Sequence, residues 1–348
     1  MNTRSGILAG QEGSVRSSSL KNRKGPCPNP ASLSGSRDKV IQVKELKKYF
    51  TSGLFRKTLV RAVDGVSFEI GKGETLGLVG ESGSGKSTVG RCILQLIQPT
   101  SGEIFFNGAN LSKVNNGMSA LRKNMQIIFQ DTAGALNPRM KLYDLLLEPL
   151  TVHGLVNGNG TDRVAELMER VNLPLNLMER YPHELSGGQR QRIGIARAIS
   201  LNPEFIVADE AAASLDLLIQ AQMLNLLKNI QSAQGISYLF ISHNLNIIRR
   251  IADRVAVMYL GRFVEVGKTE EIFNNPVHPY TQALLSAVLS IDPLAPQKNR
   301  LRGEIPNPLQ SPAGCRFHPR CPQAESICSQ VLPPPKKIND DHWAWCHK

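Results

Sequence analysis

The octapeptide Gly80-Glu81-Ser82-Gly83-Ser84-Gly85-Lys86-Ser87 decides how this chain is read. An apolar run, Thr75–Val79, precedes it, and a segment suited to a helix through Val89–Ile97 follows. Strand, Gly-rich turn, Lys-Ser and helix in that order make a phosphate cradle. The glycines let successive backbone N–H groups point inward at a helix N-terminus, where they and the local dipole favour an anion. Gly80, Ser82, Gly83 and Gly85 would line the cradle, Lys86 would reach the β- and γ-phosphates of a nucleotide, and Ser87, next to Thr88, would ligate magnesium. An incidental Gly/Ser turn would explain the residues but not their flanks.

Outward from the loop, Gln126–Phe129, Phe205–Ala208, Tyr238–Ile241 and Val255–Tyr259 are further short apolar runs with the look of buried strands. Helix-like segments separate them, so the expected fold is α/β, a largely parallel, doubly wound sheet. Between Asp131 and Leu185 the strand signal vanishes, and Asp144–Leu150 and Arg163–Val171 read as helices of an inserted helical subdomain. Phe205–Ala208 runs into Asp209-Glu210. An apolar strand ending in two acids beside a phosphate loop supplies a magnesium-anchoring carboxylate, Asp209, and a base to polarise an attacking water, Glu210.

The remaining composition sets bounds. With 348 residues and 41% hydrophobic content the chain can build a sizeable core. It shows neither an apolar stretch of spanning length nor a secretion signal. The two tails, residues 1–38 and 296–348, hold +8 of the net charge of +12, which argues against a nucleic-acid surface on the core and leaves solvated basic tails that would also suit an anionic leaflet. Residues 1–38 read as a disordered basic leader, 39–291 as the catalytic domain with its helical subdomain at about 131–185, and 292–348 as a Pro-rich linker and Cys-rich region.

Leu185-Ser186-Gly187-Gly188-Gln189-Arg190-Gln191-Arg192 stands between the phosphate loop and the acidic strand end, and with it the chain resembles the ATPase domain of ABC transporters. The resemblance implies a P-loop core with a small antiparallel β subdomain, and two such domains facing head to tail. Ser186, Gly188 and Gln189 would then reach the ATP held by the partner's phosphate loop, with Asp216 of Ser214-Leu215-Asp216 at the interface. Gln130 corresponds to the glutamine that senses magnesium and the attacking water, and His243 to the histidine that contacts the γ-phosphate. Phe50 is the adenine-stacking aromatic, with Tyr49 as the alternative.

Leu136-Asn137-Pro138-Arg139-Met140, Glu148-Pro149-Leu150, Tyr181-Pro182-His183-Glu184, Gln220-Ala221-Gln222 and His278-Pro279-Tyr280-Thr281 narrow the resemblance to the oligopeptide/dipeptide importer ATPases, a subfamily that also serves nickel and some sugars. It implies ATP and Mg2+ as ligands, two membrane permease subunits, a second ATPase chain or copy, an extracytoplasmic solute-binding protein acting indirectly, and a place on the cytoplasmic face of the membrane. Two departures stand out. The chain reads Ala211-Ala212-Ala213 where the subfamily has a proline after the glutamate, and Asp131-Thr132-Ala133 where it has Asp-Pro-Tyr; neither removes a catalytic group. A soluble ABC protein acting on nucleic acid or ribosomes would use the positive charge, but such proteins carry paired cassettes or a long coiled-coil insertion, and this chain has neither. Glu210 and His243 argue against a module that holds ATP without turning it over.

Cys315, Cys321, Cys328 and Cys346 cluster in the tail, whereas Cys27 and Cys92 stand alone. Four thiolates are enough for a four-iron four-sulfur cluster or a tetrahedral zinc, with His318, His342 and His347 near by. No Cys-x2-Cys knuckle is present, and the subfamily's similar Gly-Cys-x-Phe-x-x-Arg-Cys-Pro tail favours the cluster, in a structural role.

Overall fold

The computed structural model describes residues 38–348 except 53–57, 114–117, 157–158, 213–215, 290–303 and 305. The expected leader, most of the Pro-rich linker, and Ala213 to Leu215 lie outside the described residues.

Two long strands, β1 (Lys39–Ser52) and β2 (Thr58–Gly71), pair antiparallel. The buried strand β3 (Thr75–Val79) then leads through the Gly-rich turn into α1 (Lys86–Ile93). That helix stops short of the expected Ile97, because Gln95 takes a positive φ of 54°. Strands β4 (Ser101–Phe106) and β5 (Ala109–Asn110) complete a four-stranded sheet in the order β2-β1-β4-β5. Helix α2 (Met118–Asn124) opens onto β6 (Met125–Ile128), which ends one residue earlier than the sequence suggested.

Among the described residues no strand intervenes before β7, as the missing strand signal implied. Helices α3 (Thr132–Ala135), α4 (Leu142–Val152), α5 (Gly160–Arg170) and α6 (Gly187–Ile199) occupy the interval. Their apolar spacing explains their packing. Leu142, Leu145, Leu146 and Leu150 form one buried stripe on α4, and Val164, Leu167 and Met168 a matching stripe on α5. At Thr132, where the subfamily has proline, the hydroxyl donates to Gln191 of α6, which ties the segment after Gln130 to the helix of the Ser-Gly-Gly motif.

Strand β7 (Phe205–Asp209), helix α7 (Leu217–Gln234), β8 (Ser237–Ser242), α8 (Leu245–Ile251) and β9 (Arg254–Tyr259) rebuild the alternation. Strand β10 (Arg262–Lys268), α9 (Thr269–Asn274), α10 (Pro279–Leu289), α11 (Ser326–Gln330), β11 (Lys336–Asn339) and β12 (His342–Ala344) follow. The second sheet runs β11-β12-β10-β9-β3-β8-β7-β6. Its five strands from β9 to β6 are parallel, as expected, and every residue of β3, β7, β8 and β9 is buried. The cysteine-bearing region is not a separate appendage. Strand β12 pairs antiparallel with β10, and Phe317 sits in the main core. No helix among the described residues is long and apolar enough to cross a membrane.

Gly77, mid-way along β3, lets α8 lie flat on the sheet: a Cβ there would stand 2.7 Å from Ile248 Cγ2 and 3.0 Å from Ala252 Cβ. Gly77→Val should lower stability by about 1–3 kcal/mol in a denaturant titration. Adding Ile248→Ala should return part of that loss; simple addition of two losses would show that this contact is not the cause.

Candidate functional site

Parallel register brings the motif ends together. Val79 lies opposite both Ser242 and Val257, Asp209 opposite Ile241, and Ile128 opposite Ala208. The loops after β3, β6, β7 and β8 therefore open at one edge, the crevice beyond the carboxyl ends where α/β sheets bind ligands. A cavity of about 460 Å³ lies there. Ser82, Gly83, Gly85, Lys86, Ser87 and Thr88 form one wall, and Gln130 and Glu210 also line the cavity. Two glycines of the loop are fixed by close approach rather than by the ligand alone. A Cβ at Gly80 (φ 151°) would stand 2.1 Å from the Met258 carbonyl oxygen, and one at Gly85 (φ 103°) 2.0 Å from that of Ala62.

Lys86 is buried, and its ammonium donates to the carbonyls of Gly80 (2.7 Å) and Glu81 (2.9 Å). Burial lowers its pKa, while the carboxylates of Glu210, Asp209 and Glu81 pull the other way. The Ser87 hydroxyl donates to Asp209 at 2.9 Å, so the two oxygens expected around magnesium already face each other. Burial is the main cause holding the Asp209 carboxyl above its ordinary range, against that hydrogen bond. Next along the chain, Glu210 takes a positive φ of 50°, and its N–H donates to the Ile241 carbonyl. This backbone is costly for a non-glycine residue, by about 1–3 kcal/mol. It places Glu210 Oε1 3.0 Å from His243 Nδ1 at the end of β8.

Other expected residues stand apart from this cavity. Ser186 caps α6: its hydroxyl accepts from the Gln189 N–H while the Gln189 side chain accepts from the Ser186 N–H. Ser186, Gly188 and Gln189 do not line the phosphate cavity of their own chain. Asp216 caps α7 by accepting from the Ile219 N–H. Phe50 is 37% exposed and pairs with Val60, which lines the cavity, whereas the hydroxyl of Tyr49 donates to Asp64 at 2.5 Å. Sequence reasoning missed Val60, Arg61, Ala62, Leu260 and Ser311, which form the remaining wall.

The four tail cysteines converge. Cys315, Cys321, Cys328 and Cys346 all line one cavity of about 20 Å³, together with His318 and His347. Burial pushes the Cys315 thiol up to about 11 and raises that of Cys321 as well. As the side chains stand, however, no group of three or more His, Cys, Asp or Glu among the described residues could hold a metal ion.

A family model described as ABC transporter matches residues 63–213, and one described as the oligopeptide/dipeptide transporter C-terminal region matches 264–328. The oligopeptide transport ATP-binding protein AppF of Bacillus subtilis is 47% identical over 322 residues, covering 90% of this chain and 98% of the relative. The chain belongs to the ABC transporter ATPases, in their oligopeptide/dipeptide branch. The dipeptide transport ATP-binding protein DppF of Haemophilus influenzae is also 47% identical, over 83% of this chain and 90% of its own length. Among solved structures, the dimeric bacterial ABC transporter cassette MJ0796 superposes with a TM-score of 0.60 at 27% identity, over 66% of this chain and 98% of the cassette.

The branch-specific His278-Pro279-Tyr280-Thr281 of this ABC ATPase acts from beneath the loop. The Tyr280 hydroxyl accepts from the Glu81 N–H at 2.9 Å, and the Tyr280 N–H donates to His278 Nδ1 at 3.0 Å, which requires a neutral imidazole. Burial depresses the His278 pKa to about 4, against the neighbouring Glu265 carboxylate. The unfolded chain therefore binds the extra proton first, and stability present above pH 6.5 is lost as pH falls towards 4, by up to about 3 kcal/mol. His278→Gln should flatten that acid limb in denaturation midpoints measured from pH 7 to 4.5.

Proposed function

We propose that this chain energises the uptake of peptides across the cytoplasmic membrane, as the Mg-ATP-hydrolysing member of an importer. The observation that carries the hydrolytic part is the contact of His243 with Glu210, a residue that lines the phosphate cavity. The peptide part is supported by relatives named for oligopeptide and dipeptide transport that match it over most of both chains.

In this reading Phe50 stacks on adenine beside Val60, and the backbone of Gly80, Ser82, Gly83, Gly85 and Thr88 cradles the phosphates. Lys86 exchanges its two carbonyl partners for the β- and γ-phosphates. Ser87, Asp209 and Gln130 hold magnesium, which supplies charge neutralisation at the phosphate oxygens when bound. Glu210 polarises the attacking water, and His243 steadies both that carboxylate and the γ-phosphate. Ser186, Gly188 and Gln189, which do not line their own cavity, close over the ATP of a second ATPase chain, with Asp216 at the join. Binding energy drives that closure and hydrolysis releases it.

The permease subunits would be engaged by the helical subdomain. A groove of about 410 Å³ between it and the sheet, lined by Phe129, Thr132, Glu148, Pro149, Val152 and Arg197, suits a short cytoplasmic helix. That contact would hold the chain at the inner face of the membrane, with a solute-binding protein acting from the far side.

Glu210→Gln should bind ATP as the parent does and turn over at least about 100-fold more slowly. ATP should trap it as a dimer in size-exclusion chromatography. Unchanged turnover would show that the catalytic carboxylate lies elsewhere.

We also propose that Cys315, Cys321, Cys328 and Cys346 hold a structural metal centre, an iron–sulfur cluster in preference to zinc. The support is a donor set of four soft sulfurs lining one cavity; the side chains would have to close in around the metal, and each thiol would lose its proton. Anaerobically purified protein should be coloured and contain iron and sulfide. A colourless sample with stoichiometric zinc would replace the cluster by zinc, and a metal-free sample would end the proposal.

A further inference from the structure

Glu81 is the only acid in the phosphate loop, an unfavourable charge for a segment that must wrap a polyanion. Its carboxylate does not line the phosphate cavity. It turns to the other side of the loop and meets Arg320, the residue before Cys321. Arg320 Nη1 donates to Glu81 Oε2 at 2.7 Å and Nη2 to Oε1 at 3.1 Å, a two-pronged pair. The guanidinium is buried, at 5% side-chain exposure, and the carboxylate is 20% exposed, so water screens the pair poorly. Aromatic rings hold the arginine in place. Its guanidinium carbon lies 5.9 Å from the centre of the Tyr259 ring, which packs on Tyr280 and Phe317 at centroid separations of 4.6 and 5.3 Å.

All three polar groups of Glu81 are thereby committed: the N–H to the Tyr280 hydroxyl, the carbonyl to Lys86, and the carboxylate to Arg320. Lys86 feels the Glu81 charge directly. A carboxylate left uncompensated there would oppose the phosphates and compete with them for the lysine.

We propose that Arg320 is a positioning residue for nucleotide binding: it neutralises the Glu81 carboxylate from behind the phosphate loop, so that the cysteine-bearing segment sets the affinity of the site for ATP. This rests on the nucleotide-site reading given above. Arg320 does not line the phosphate cavity, so it acts through the charge and the placement of Glu81. A nucleotide with more phosphate charge should feel it more.

The experiment measures MgATP and MgADP dissociation constants by titration calorimetry on the full chain, with steady-state hydrolysis alongside. Arg320→Ala should weaken MgATP about five- to tenfold and MgADP less, with kcat at saturation within about twofold of the parent; Arg320→Lys should fall between. The loss should shrink as salt rises from 50 to 500 mM, where the Debye length becomes about 4 Å. Adding Glu81→Gln to Arg320→Ala should bring MgATP affinity back to within about twofold of the parent, because the offending charge is gone. Parent-like affinity in Arg320→Ala, or a double variant no better than it, would overturn the proposal. Should Arg320→Ala fail to fold by circular dichroism, Glu81→Gln alone decides: binding equal to or tighter than the parent supports the proposal, and weaker binding overturns it. A parent chain that binds no MgATP would overturn the nucleotide-site reading, and this one with it.

Discussion

Val79 opposite Ser242 and Asp209 opposite Ile241 are the pairings on which the site depends. Side chains alternate faces along a strand, so a slip of one residue between β7 and β8 would turn Asp209 from the crevice into the core. It would also separate Glu210 from His243. That register is held by apolar burial on both faces of the parallel sheet, with Phe205, Tyr238, Phe240 and Val255 wholly enclosed. The geometry of the proposed site is therefore set by core packing: Asp209 closes β7, and Glu210 and His243 follow directly on the ends of β7 and β8.

Much of this was legible because the signals were local. Thr75–Val79 is a strand with the bounds its apolar run implied, and the acids after Phe205 fall where a strand end puts them. Helix α1 was misjudged because apolar periodicity carries through Leu94–Ile97, whereas the chain turns at Gln95. The wall formed by Val60, Arg61, Ala62 and Ser311 left no trace, since these residues come from long-range placement of β2 and the tail and carry no motif chemistry. The placement of the tail was equally illegible: the Cys-rich region contributes Phe317 to the core and β12 to the sheet, and β12 pairs with β10 residues more than 70 positions earlier, which no local pattern encodes.

Buried charge follows the same economy. Asp64 of β2 accepts from Tyr49, Arg262 and Arg316, so one carboxylate joins β1, β10 and the cysteine region beside the nucleotide cavity. These hydrogen bonds and positive charges hold its carboxyl below the ordinary carboxylate range even though burial, the largest single influence, pushes it up. Such a cluster adds little net stability over an apolar one of the same volume. What it enforces is geometry: only with both arginines in place are the two charged partners of the buried acid satisfied.

Strand β12 also bears on how the protein comes to be made. Its partner β10 ends at Lys268, and His342 emerges about 75 residues later. At roughly 5–20 residues per second of synthesis, the edge of β10 waits some 4–15 s for its neighbour. During that interval an unpaired row of backbone donors and acceptors is open to strands of other chains. Once β12 and the lysine-bearing, exposed β11 have added, the sheet presents a short charged edge instead.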